Sequence, residues 1–134
     1  MITAFVEMVA AGVKKLGLSP PLTPVEFDEL FMAAEKIAES HEVHLYIEKD
    51  FLTTDLFDPE LTRGKYVLFT YRDSNVIEEY MGLKAEKKSL IRAGQFSGEQ
   101  RKSVARKFGR LLSYHEDRIE RMLSEGGVRP SVIE

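Results

Sequence analysis

The hexapeptide Tyr66–Val67–Leu68–Phe69–Thr70–Tyr71 most constrains the fold, because it is almost wholly apolar or aromatic and β-prone. Such a run reads as the more buried strand of the sheet. A second candidate precedes it. Val43, Leu45 and Ile47 alternate with His44, Tyr46 and Glu48, the period of a half-buried strand. Most of the remaining chain has helical periodicity, so helices must cover a small sheet and the fold class is α+β. The two strands are separated by the connection from Asp50 to Gly64, 15 residues. That length just permits a right-handed parallel crossover, but antiparallel pairing is commoner and is the expected arrangement.

Ile2, Phe5, Val6, Val9, Val13 and Leu16 recur at helical spacing, which predicts an amphipathic helix over 2–16 with Gly17 as its stop. Pro20–Pro21 makes the next stretch a rigid connector. Thr23 then opens a second helix. Pro24 occupies the first helical position and Glu26 completes a Thr-x-x-Glu capping box. Phe27, Leu30, Phe31, Ala34, Ile37 and Ala38 form its apolar stripe, and the helix should end near Ser40.

After the second strand, Asp73 or Ser74 caps a short helix with Gly82 as its expected stop. Residues 84–93 read either as helix or, at Ser89–Arg92, as a short edge strand. Ser97 and Gln100 form another capping box. Beyond it Val104, Phe108, Leu111, Leu112, His115, Ile119, Met122 and Leu123 share one helical face. Ser113–Glu116 is itself a capping-box pattern, so a break at Ser113 is an alternative. The expected domain is 1–125, with two N-terminal helices, a two- to three-stranded sheet and a long C-terminal helical segment. Residues 126–134 are expected to form a flexible tail.

With 134 residues, no cysteine and no apolar run near the length of a membrane span, disulfides and thiolate chemistry are excluded and a cytoplasmic location is expected. Glu7 interrupts the first apolar stretch and Lys14 and Lys15 follow it, unlike a signal peptide. Scarce Asn and Gln, no Cys and abundant Glu, Lys and Arg resemble a thermophile's composition.

The charges are sorted by region. Residues 26–60 carry eleven Asp/Glu against two Lys/Arg, a net of −9, and residues 84–110 carry nine Lys/Arg against two Asp/Glu, a net of +7. A like-signed surface attracts something of opposite sign. The leading expectation is a non-catalytic binding or assembly module, a homodimer, that uses this complementarity. The alternative is a nucleic-acid-binding protein holding phosphates, or another anion, through Lys87, Lys88, Lys102, Arg106, Lys107 and Arg110. The interleaved aromatics used for base stacking are missing from that segment.

A third reading is a small enzyme, on either of two constellations. Arg110 and His115 have the Arg-x-x-x-x-His spacing of some helical RNA-cleaving proteins. Leu111 and the strands depart from that pattern, so His115 is expected in the core. Asp50 and Asp73 would flank a metal only if the two strands ran parallel. His41, Glu42 and His44 lack metal-site spacing and read as a surface junction. Neither a cofactor nor a metal is expected.

Overall fold

A computed structural model describes residues 9, 11–12 and 14–124. The chain divides into two compact units, the first comprising residues up to 51 together with 62–76, the second 52–61 together with the chain from 77 onward.

The first unit is built on three antiparallel strands, β1 (Leu16–Leu18), β2 (His44–Glu48) and β3 (Val67–Tyr71), in the order β1-β3-β2. The register runs His44↔Tyr71 to Glu48↔Val67 on one side and Leu16↔Tyr71 to Leu18↔Phe69 on the other. β3 is the central strand, which explains its unbroken apolar sequence: Val67, Leu68, Phe69 and Thr70 are all buried. The ladder extends past β1 by a side chain. Ser19 N–H donates to the Leu68 carbonyl at 2.9 Å, and Leu68 N–H donates to Ser19 Oγ at 2.9 Å. The same hydroxyl donates to the Pro20 carbonyl at 2.8 Å, so it both accepts from the central strand and is held by the connector.

α1 (Pro24–Ser40) starts as its sequence predicts. Glu26 N–H donates to Thr23 Oγ1 at 3.2 Å, and Thr23 N–H donates to Glu26 Oε1 at 2.8 Å. Phe27 and Ala34 pack with Leu22 and Leu68, against Phe31, Leu45, Ile47 and Tyr66. Ala38 packs with Val9 and Val43. The strand pleat puts Leu45, Ile47 and Leu68 on one side of the sheet, and α1 covers that side.

The second unit holds the segment 52–61, α2 (Ser74–Arg92) from residue 77, α3 (Gly98–Leu111) and α4 (Glu116–Ser124). The Tyr80 and Phe108 rings lie 5.8 Å apart, and Leu52 N–H donates to the buried Tyr80 hydroxyl at 2.9 Å. Leu56 and Ile119 are fully buried against Gly109, where α3 and α4 meet. A short 3₁₀ turn, Pro59–Leu61, closes the segment.

Three helices end in the same way. Glu42 N–H and Val43 N–H turn back to Glu39 O and Ala38 O; Gly94 and Gln95 to Ile91 O and Leu90 O; Ser113 and Tyr114 to Arg110 O and Gly109 O. Each pair is a Schellman motif, with Glu42 (φ +57°), Gly94 (φ +69°) and Ser113 (φ +66°) in the left-handed region.

Several expectations are corrected. Leu16 and Gly17 belong to β1, not to a helix end, so a strand precedes α1 and the sheet has three strands. Most of the expected helix 2–16 lies outside the described residues, as does the tail 126–134. Gly82 does not stop α2, which continues to Arg92 and settles 84–93 as helix. Ser97 is the N-cap of α3 but its side chain makes no cap hydrogen bond. The break near Ser113 is present, and it leaves His115 exposed rather than in the core. Among the described residues, no helix is long and apolar enough to cross a membrane.

Candidate functional site: the basic segment

The 3.6-residue period places Lys102, Arg106 and Arg110 in one row along α3, opposite buried Val104, Phe108 and Leu111. α4 turns back beside this row and brings carboxylates to it. Arg106 Nε donates to Glu120 Oε2 at 2.8 Å, its Nη2 to Glu120 Oε1 at 3.2 Å, and its Nη1 to Glu99 Oε2 at 3.2 Å. Arg110 holds Glu116 in the same forked geometry, at 3.0 and 3.1 Å. Lys107 Nζ donates to both Glu86 oxygens, at 3.1 and 3.2 Å.

A second knot ties the start of segment 52–61 to the helices. Lys87 Nζ donates to the Thr53 carbonyl at 2.7 Å and to Thr53 Oγ1 at 2.6 Å. Arg101 grips Asp55 through Nε and Nη2, at 2.7 to 3.0 Å. The Phe96 ring receives both cations, Lys87 Nζ at 5.4 Å and the Arg101 guanidinium at 5.3 Å.

The titration of these groups follows their partners. The Glu120 hydrogen bond, then that of Glu99, holds the Arg106 guanidinium well above its ordinary range. Asp55 raises Arg101, and Glu116 raises Arg110. Reciprocally, Arg110 lowers the Glu116 carboxyl and Arg106 lowers that of Glu120. Burial pushes the Tyr114 hydroxyl up, against the opposing effect of Arg118, whose guanidinium lies 4.5 Å from the ring.

Of the six cations singled out from sequence, Lys87, Arg106, Lys107 and Arg110 are engaged by protein acceptors, while Lys88 and Lys102 are exposed. Over the described residues of the second unit, eleven Lys/Arg stand against ten Asp/Glu, a net of +1 in place of the +7 of segment 84–110 alone. Compared with known families, curated proteins and solved structures, the chain matches none.

The partners of these cations escaped sequence reasoning. Asp55 is 46 residues from Arg101, with no local pattern to link them. Glu99, one helical face from Arg106, was legible in principle at a spacing of 7.

The geometry separates the other candidate groups. Asp50 follows β2 and Asp73 follows β3, so antiparallel pairing puts them at opposite ends of the strands. The Asp50 N–H instead donates to the buried Glu48 carboxylate at 2.9 Å. His115 is exposed and Arg110 is committed to Glu116. His41 Nδ1 lies 2.9 Å from the Ile37 carbonyl, and the His44 ring sits tilted against Tyr71 with centroids 5.3 Å apart. Among the described residues, no three His, Asp or Glu side chains gather to hold a metal.

Proposed function

We propose that this protein is a cytoplasmic, non-catalytic assembly module that recognises a second copy of itself through charge complementarity. One observation carries the reading: the arginines of α3 are paired with carboxylates, whereas the exposed acidic groups of α1 outnumber the cations on that helix. α1 presents Asp28, Glu29, Glu35 and Glu39 at its surface against the single cation Lys36. An acidic face left in water steers association with a basic surface and sets the register of binding.

The nucleic-acid alternative is weaker on the same ground. A phosphate backbone would have to displace carboxylates already in forked contact with Arg106 and Arg110, and the counterion release that drives such binding needs free cations.

Sedimentation equilibrium at about 50 and about 500 mM salt tests the reading, because the Debye length falls severalfold across that range. Self-association at low salt that weakens at high salt is the expected result. A concentration-independent monomer at low salt refutes it. Fluorescence anisotropy with short DNA and RNA, run beside it, should show no tight binding; tight, steeply salt-dependent binding would replace assembly with the nucleic-acid reading.

A further inference from the structure

Large apolar side chains gathered at a surface mark contacts. Among the described residues the exposed large hydrophobics are Val25, Leu30, Met32, Met81 and Ile91. They lie on two helices, three on α1 and two on α2. The exposure is substantial: 66% for Val25, 69% for Met32 and 53% for Ile91.

Helical spacing puts Val25, Asp28, Glu29 and Met32 on one face of α1. It puts Met81, Lys88 and Arg92 on one face of α2, with Lys84 and Ile91 on the flank. The two faces carry opposite charge. Around the α1 face stand Asp28, Glu29, Glu35 and Glu39 with Lys36, a net of −3. Around the α2 face stand Lys84, Lys88 and Arg92 with Glu78, a net of +2. The helices also match in length, 17 and 19 residues.

From this pairing we infer that the acidic, apolar face of α1 docks on the basic, apolar face of α2 in a second copy of the chain. The inference rests on the assembly reading above and names its interface. Whatever covers the α1 face must bring both apolar side chains and cations, and the α2 face brings both. Met32 and Ile91 supply apolar anchors, and the charges around them form a rim that fixes register. The contact joins unlike surfaces of the two copies.

Paired charge reversals test it: D28K/E29K on α1 and K88E/R92E on α2. All four side chains are exposed, and circular dichroism checks that helix content is kept. In sedimentation velocity at about 50 mM salt, each variant alone should self-associate on the order of tenfold or more weakly than the parent chain, through like-charge repulsion. An equimolar mixture should recover association, since each reversed face then meets its complement. M32S and I91S should weaken association without that rescue. If the parent chain is monomeric, this inference and the assembly reading fall together. If the parent chain associates and the reversals leave it unchanged, this interface is wrong and the assembly reading stands. Loss of association without rescue in the mixture overturns the α1–α2 pairing.

Discussion

Replacing Gly82 and Gly109 with alanine, one at a time, should move stability in opposite directions. Gly82 lies inside α2 and Gly109 in the last turn of α3, and within a helix alanine is favoured over glycine by up to about 1 kcal/mol. At Gly82 nothing stands within 4 Å of the added Cβ, so Gly82→Ala should gain about 0.5–1 kcal/mol. At Gly109 the added carbon would sit 2.8 Å from both Cγ1 and Cδ1 of Ile119 and 3.5 Å from Leu56 Cδ1. Ile119 is fully buried, and its Cγ1 is too close to the backbone to swing aside freely. Overpacking costs about 1–3 kcal/mol, which exceeds the propensity gain, so Gly109→Ala should lose up to about 2 kcal/mol.

Urea unfolding followed by circular dichroism reads both. With a slope of about 2 kcal/mol/M, the midpoint should rise by about 0.4 M for Gly82→Ala and fall by up to about 1 M for Gly109→Ala. A double-mutant cycle adds a second check. Ile119→Ala alone should cost about 2–5 kcal/mol, and in the Gly109→Ala background it should cost less, with a coupling of about 0.5–3 kcal/mol. Equal stabilisation by the two glycine replacements, with additive effects at 109 and 119, would refute the close approach of α3 and α4.

Tyr80→Phe should destabilise by about 1–3 kcal/mol in the same assay, because it leaves the buried Leu52 N–H without its acceptor. Glu42→Gly should stabilise by about 1 kcal/mol, since the left-handed backbone there suits glycine. Glu26, Glu116 and Glu120 have carboxyls lowered by their hydrogen bonds, to Thr23, Arg110 and Arg106 respectively. Their contribution should therefore be complete above the ordinary Glu value of about 4.3 and be lost as pH falls through the lowered values, which urea midpoints measured across that range will report. E99Q/E116Q/E120Q should free Arg106 and Arg110 and lengthen retention on a heparin column; unchanged retention would mean that these carboxylates do not mask the arginines.

β3 was legible because burial on both faces leaves an unbroken apolar run, and α1 because Thr23, Pro24 and Glu26 write its start in three residues. β1 was not. Leu-Gly-Leu is too short to show a period, and Leu16 fits a helical stripe equally well. The helix stops misled for a physical reason. Gly82 looked like a terminator but lies where alanine would fit, whereas two of the true left-handed stops are Glu42 and Ser113, residues that do not announce that conformation. One helical phase continued through Ser113 places His115 in the core, but the break there resets the phase so that Ile119, Met122 and Leu123 face inward without it. The basic segment was legible as charge but not as a neutralised surface, because Asp55, Glu116 and Glu120 come from other elements.

Neither unit is a continuous stretch of chain, and this shapes how the protein can be made. A polypeptide leaving the ribosome completes β3 at Tyr71, and with it every strand of the sheet. By then Leu52 and Leu56, buried in the finished protein, have emerged without the groups that will enclose them. Leu52 waits 28 residues for Tyr80, and Asp55 waits 46 for Arg101. Until residues from 77 onward emerge, the nascent segment 52–61 keeps apolar side chains in water, the condition that makes folding intermediates aggregation-prone. Truncation meets the same obstacle: a fragment ending at Val76 strands that segment, and a fragment beginning at Ile77 lacks it.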